Sequence, residues 1–343
     1  MKLEEFVKKY DKQNQYHVLV ESYKQIESAW NAEVNLKHSS INELNNIIIS
    51  GMGGSAISGD LLKCFLKDEI SIPIIVNRDY SIPSYADEKS LVIISSYSGN
   101  TEESISSFQD TLKKNCIIIA VSTGGKIIEL VKKNNIPWIE LQKGFQPRYA
   151  LGTSFFTLLK LLQTLKLISE QDSVVKEIIS LWKEKGVEYS KEKNIALAHA
   201  QELIGFIPLI YTSSFLEPVG YRMKCQFNEN SKLHAYNNVI PELNHNEIIG
   251  WETFFDKQFN LKLISILDED YYPQIKKRFE ITSELIQAAG ADIISLKSNE
   301  ENLKVRIMDL IYLGDWISYY LSILRGFDPS EIENINTLKH RLA

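Results

Sequence analysis

Cysteine is scarce in this chain: Cys64, Cys116 and Cys225 are odd in number and widely spaced. They offer neither metal-ligand spacing nor a disulfide framework, so they read as buried thiols of a reducing compartment. Long apolar runs are missing too. No segment approaches membrane-spanning length, and the start, Met1-Lys2-Leu3-Glu4-Glu5, has no apolar signal core. The expectation is a cytoplasmic protein without a membrane partner. Positive charge is in deficit, with a net charge of −6 at pH 7. That balance gives no general attraction to nucleic acid or anionic lipid, so an anionic ligand would have to be held by local donors. His17, His38, His199, His234 and His340 show no mutual ligand spacing, and no metal is suggested.

What is present is a folded chain of 343 residues, 44% hydrophobic and 24% charged, long enough for two domains. It is organised around Asn46-Ile-Ile-Ile-Ser50 followed by Gly51-Met-Gly-Gly-Ser55 and an apolar-periodic run. This reads as a buried strand, a glycine-rich turn and a helix. Glycine lets backbone approach a ligand, and the opening helix aims its N–H groups there, so the occupant should be anionic, most simply a phosphate. Leu91-Val-Ile-Ile94 leads into a second such loop, Ser95-Ser-Tyr-Ser-Gly-Asn-Thr101.

Residues 46–140 alternate strands (47–50, 72–77, 91–95, 116–121, 138–141) with helices beginning near Ser55, Thr101 and Gly125. Near-continuous apolar strands separated by helices predict a parallel sheet covered on both faces, with ligands beyond the carboxyl ends. Residues 1–44 carry helical periodicity and are expected to wrap the first domain or join an interface. A helical stretch follows at about 152–204, without a flexible linker. The strand–helix pattern then recurs: strands at 206–211, 261–267 and 291–296, helices at about 219–230, 272–289 and 303–324, and a short helix through Lys339. The second copy has mostly lost the loop glycines. The expected organisation is 1–44, 45–155, 156–204, 205–330 and 331–343.

Two chemistries compete for the loops. Gly51, Gly53 and Ala56 fit a G-x-G-x-x-A dinucleotide fingerprint, with Arg78 or Asp79 at the next strand end to meet a ribose or its 2′-phosphate. That leaves Ser96, Ser98 and Thr101 unexplained. Capping a helix needs one hydroxyl; this excess suits a terminal phosphate with several acceptor oxygens.

The two loops resemble those of the sugar-isomerase (SIS) domain family. Further segments resemble the bifunctional phosphoglucose/phosphomannose isomerases: Pro147-Arg-Tyr-Ala150, Asn228-Glu-Asn-Ser-Lys232, Glu242-Leu-Asn-His-Asn-Glu247, Arg325-Gly-x-Asp-Pro329 and Leu338-Lys339. The resemblance implies an α/β fold of two SIS-type doubly wound domains, each a mostly parallel sheet flanked by helices. It implies aldose–ketose isomerisation of glucose 6-phosphate, and of mannose 6-phosphate, with fructose 6-phosphate through an enediol, without a cofactor. Such a reaction needs a carboxylate base, a cation for the developing oxyanion and an acid/base to open the ring.

By resemblance Glu229 is the base, Arg148 faces the enediolate, His245 opens the ring and Lys339 reaches into the site. Ser96, Ser98 and Thr101 would take the phosphate, with Gly54 and Ser55 lining the sugar site. The family's homodimers share active sites between subunits, His245 coming from the neighbour. The family also uses a threonine near the C-terminus in epimer discrimination, to which neither Ser330 nor Thr337 clearly corresponds. Two alternatives stay open: a non-catalytic sugar-phosphate-binding protein of the same fold, and an NAD(P)-dependent dehydrogenase.

Overall fold

The computed structural model describes residues 3–34, 43–256 and 260–342. His38 and the side chain of Phe255 lie outside the described residues. The chain divides into two compact units, Ser22–Ile179 and Met1–Glu21 with Ser180–Ala343.

In the first unit, β1 (Asn46–Ser50), β2 (Ile74–Asn77), β3 (Ser90–Ser96), β4 (Ile117–Ser122) and β5 (Trp138–Glu140) form one sheet. Its order is β2-β1-β3-β4-β5 and every pairing is parallel. Isoleucine and valine dominate because both faces are covered: Ile47, Ile48, Ile49, Val92 and Ile93 are all sealed from solvent. Under one face Phe108, Ile127 and Val131 pack on Ile48, Val92, Ile94 and Ala120. Each such burial contributes roughly 1.5–3 kcal/mol. The helix Gly53–Phe65 meets the helix Leu151–Thr164, where the Phe65 and Phe155 rings cross edge to face.

The second unit repeats the plan with one strand fewer. β6 (Ile207–Ser213), β7 (Tyr236–Ile240), β8 (Leu261–Leu267) and β9 (Ile293–Lys297) pair in parallel in the order β7-β6-β8-β9. The sequence pattern did not reveal β7, whose Asn237 and Asn238 disfavour strands; an edge position tolerates them. The helix Leu303–Leu324 runs almost wholly buried through this unit. A helix apolar all round belongs inside a protein, and its charges are paired there. Arg222 grips Asp315 with Nε at 3.1 Å and Nη2 at 2.7 Å, and Gln226 donates to the same carboxylate at 2.9 Å. Among the described residues no helix is long and apolar enough to cross a membrane.

Two features refine the sequence pattern. The stretch 152–204 is three helices, Leu151–Thr164, Asp172–Tyr189 and Ile195–Glu202. The first break occurs where Lys166 takes a left-handed φ of 59°, with no glycine or proline to announce it. The N-terminal segment is also divided. Ser22–Asn31 packs on Leu151–Thr164 in the first unit, whereas residues up to Glu21 belong to the second.

Candidate active site

In the first unit the strand order reverses direction between β1 and β3, and the loops after these two strands are the Gly51–Ser55 and Ser95–Thr101 segments. Such a switch point opens a crevice outside the carboxyl ends of the strands. Ser96 ends β3, and its Oγ lies 3.1 Å from the Thr101 hydroxyl while accepting from the Gly99 amide at 3.1 Å. The Ser98 hydroxyl is exposed and accepts from the Asn100 amide at 3.3 Å. Thr101 precedes the helix Glu102–Lys113, whose first-turn amides lack intrahelical acceptors. Gly99 holds this loop at φ 70°, where a Cβ would collide with the Gly124 carbonyl.

Tyr97 was not singled out from sequence, yet it knits the loop to its surroundings. Its amide donates to Ser55 Oγ at 3.2 Å and its carbonyl accepts from the Thr123 hydroxyl at 2.7 Å. Its phenol donates to the Gln142 carbonyl at 3.0 Å and accepts from the Phe145 amide at 3.1 Å. Burial raises the phenol's pKa, partly offset by the Phe145 bond, so it stays a neutral donor. These bonds carry the fixed geometry to the turn Pro147–Tyr149.

Arg148 sits in that turn, 4% exposed, with its guanidinium carbon 5.6 Å from the Tyr149 ring centroid. Gly54 is glycine because the turn presses on it: a Cβ there would lie 2.9 Å from the Pro147 carbonyl oxygen. From the other side Gln25 donates to the Tyr149 carbonyl at 2.9 Å and accepts from the Thr153 amide at 3.4 Å. Gly54, Ser55, Ser96, Ser98, Thr101 and the turn bearing Arg148 are thus drawn together within one unit.

The second unit holds the other three candidates. Glu229 is the last residue of the helix Glu217–Glu229 and is half-buried. His245 ends the turn Glu242–His245 and is exposed. Neighbouring Asn244 is fixed by Thr282 at 2.9 Å and by Arg278 at 3.3 Å. The acids beside His245 are occupied by other donors. Glu242 accepts from Asn246 at 3.0 Å, and Glu247 accepts from the Tyr211 phenol at 2.7 Å and from Asn238. Burial, then the adjoining Glu247 carboxylate, push the Tyr211 phenol far above its usual range. Lys339 is exposed on the helix Glu333–Leu342, which buries none of its residues.

With this geometry in view, similarity to known proteins is informative. A model described as the bacterial phospho-glucose isomerase C-terminal SIS domain matches residues 192–342. A bifunctional phosphoglucose/phosphomannose isomerase of Caldicellulosiruptor bescii is 39% identical over 96% of this chain and 97% of its own. The chain belongs to the bifunctional phosphoglucose/phosphomannose isomerase family. A member from Aquifex aeolicus is 33% identical over 86% of this chain and 90% of its own. The same fold is seen in a solved structure of a hypothetical protein from Thermus thermophilus. Its TM-score is 0.74 at 13% identity, covering 99% of this chain and 93% of the other. In this chain the hydroxyl loop, the Arg148 turn and the Glu229 helix end lie on three different strand–helix junctions or turns, each built by its own local contacts.

Proposed function

We propose that this isomerase interconverts fructose 6-phosphate with glucose 6-phosphate and mannose 6-phosphate through an enediol. Support comes chiefly from the hydroxyl loop Ser96–Thr101, set at the mouth of a helix and backed by the turn that carries Arg148. Hydroxyls and backbone amides at such a junction match the oxygens of a phosphate monoester. Gly54 and Ser55 line the sugar.

In the ring-opening step His245 passes a proton from the anomeric hydroxyl to the ring oxygen. One imidazole nitrogen can accept a proton and, once protonated, donate it, so the step runs in both directions. The Glu229 carboxylate then takes the proton from C1 of the open ketose, and the C2 carbonyl electron pair becomes an enediolate oxygen. The Arg148 guanidinium faces that charge, with Lys339 as a second cation. A proton passes from the C1 hydroxyl to the C2 oxygen; Glu229 then returns its proton to C2 as the O1 electron pair closes to a C1 carbonyl, giving the aldose. Return to either face of C2 yields the glucose or the mannose epimer. One carbon is oxidised as its neighbour is reduced, so the reaction consumes no redox cofactor.

We read the working form as a cytoplasmic homodimer in which a second copy supplies His245. Tyr236 and Ile249, at 54% and 60% exposure, stand on elements that pack on the His245 turn and would be covered there.

A coupled assay from fructose 6-phosphate, with both aldose phosphates measured, tests the proposal. Glu229→Gln should lower kcat about 10²–10⁴-fold with KM little changed. Full turnover in that variant would remove Glu229 as the base, and binding of fructose 6-phosphate without turnover by the unmodified protein would remove the activity.

A further inference from the structure

We propose that Lys232 is a positioning residue for the proton carrier. It fixes the peptide of Glu229 and ties it to the segment that leads to Lys339. The inference rests on the reading of Glu229 as the base.

The helix Glu217–Glu229 ends at the very residue that must be placed, and the last carbonyls of a helix have no intrahelical donor. Earlier ones are satisfied by the chain that follows: Asn230 N donates to Gln226 O at 2.8 Å and Ser231 N to Phe227 O at 3.1 Å. The Glu229 carbonyl is met by a side chain. Lys232 adopts a left-handed φ of 50°, which turns the backbone so that its ammonium folds back over the helix end. Its Nζ donates to the carbonyls of Glu229 at 3.0 Å, Asn230 at 3.1 Å and Asp328 at 2.5 Å. An ammonium has three donors, and three converging carbonyls use all of them.

The surroundings hold the other end still. Asn230 is fully buried and donates to Ser318 Oγ at 2.9 Å; the Ser231 hydroxyl donates to the Ser318 carbonyl at 2.7 Å. Arg325 donates to the Ser231 carbonyl, and Asn228 to the Leu233 carbonyl at 2.8 Å. These contacts pin the residues around Glu229, whereas Lys232 holds the Glu229 peptide itself. Through Asp328 it also reaches the turn after Leu303–Leu324, five residues before the helix Glu333–Leu342 that bears Lys339. A partly exposed lysine clasping main-chain oxygens at this point has little to do with core packing. Its effect is on where the carboxylate stands, and a displacement of about 1 Å is worth roughly 100-fold in rate.

The test is Lys232→Met in the full chain, beside Glu229→Gln, with fructose 6-phosphate as substrate in H₂O and in D₂O. The expected result is a kcat about 30–100-fold lower, KM within about threefold, an unchanged melting cooperativity and more deuterium at C2 of the aldose product. That last readout reports a carboxylate no longer shielding its proton, which a role in stability alone would not move. A kcat within about threefold, or a lowered kcat with unaltered deuterium content, overturns the proposal. Should Lys232→Met fail to fold, Lys232→Arg decides by the same criteria, because a planar guanidinium keeps the charge but cannot place three donors on these three oxygens. An inactive Glu229→Gln beside a fully active Lys232→Met would sink Lys232 alone; a fully active Glu229→Gln would sink the reading beneath it as well.

Discussion

The ends of β3 and β8 occupy the same place in two sheets of matching topology, yet they carry opposite chemistry. After β3 come Ser96, Ser98, Gly99 and Thr101, hydroxyls and amides around an open turn. After β8 come Asp268, Glu269 and Asp270, closed upon a single cation. Arg306, 1% exposed, donates to Asp268 through Nε at 2.8 Å and Nη2 at 3.2 Å. It also donates to Glu269 at 2.9 Å, to Asp270, and to the Glu301 carbonyl at 2.7 Å. Three carboxylates around one guanidinium leave the loop net negative, so it repels a phosphate. The strand–helix frame therefore leaves the loop free to specialise: one copy keeps an open turn of hydroxyls and amides, and the other uses the same position to hold its unit together.

The largest effect should come from breaking the second loop. Arg306→Leu leaves Asp268 ionised and buried without its cation, at a cost of about 3–5 kcal/mol. Urea unfolding followed by Trp fluorescence should show this loss, with much of it recovered in an Arg306→Leu/Asp268→Leu double variant. Next is the first loop. Gly99→Ala forces a side chain to φ 70° and against the Gly124 carbonyl; backbone strain of that kind costs about 1–3 kcal/mol. Both melting temperature and affinity for fructose 6-phosphate should fall, whereas Arg306→Leu at sub-denaturing conditions should leave the first unit's own unfolding step in place.

A subtler break is Ser98→Ala. The hydroxyl is exposed and bonded within the loop to a single amide, so stability should move by less than about 0.5 kcal/mol. One hydrogen bond to a charged phosphate is worth about 1.5 kcal/mol, which predicts KM about tenfold higher. The smallest effect concerns another acid at the same end of the second sheet. Asp309 receives the Ser298 hydroxyl at 2.6 Å, while its Oδ1 is buried without a partner. Burial raises its pKa, with Ser298 and Lys185 opposing. A carboxyl whose folded pKa is raised costs stability once pH climbs above the unfolded value, and the full cost is present above the folded value. Asp309→Asn should therefore be more stable than the parent by about 1 kcal/mol at neutral pH. The advantage should fade as pH falls into the ordinary carboxylate range, as thermal melts across pH would record.

These contrasts also explain what could be read beforehand. The strands of the first sheet were legible because Ile47–Ile49, Leu91–Ile94 and Ile117–Val121 are apolar on both faces, a property of the segment itself. The glycine and serine loops were legible for the same reason. Tyr97 was not, since its importance lies in the Ser55, Thr123, Gln142 and Phe145 partners that only the fold brings to it. Arg222 and Asp315 are 93 residues apart, and nothing in either neighbourhood announces the other. Lys232 lies in the Asn228–Lys232 segment, but its hold on Asp328 crosses 96 residues and exists only in the folded chain.

The division of the N-terminal helices has a consequence for synthesis on the ribosome. Residues 22–179 form a contiguous stretch that can close as soon as it emerges, whereas the first twenty-one residues must wait. Asp11 receives the Tyr319 phenol and the Leu19 carbonyl receives that of Tyr312, contacts made across 308 and 293 positions. At about 5–20 residues per second, the nascent start stays undocked until nearly the whole polypeptide has been translated. Truncating the message before codon 312 should therefore yield a chain whose middle resists proteolysis and whose beginning does not.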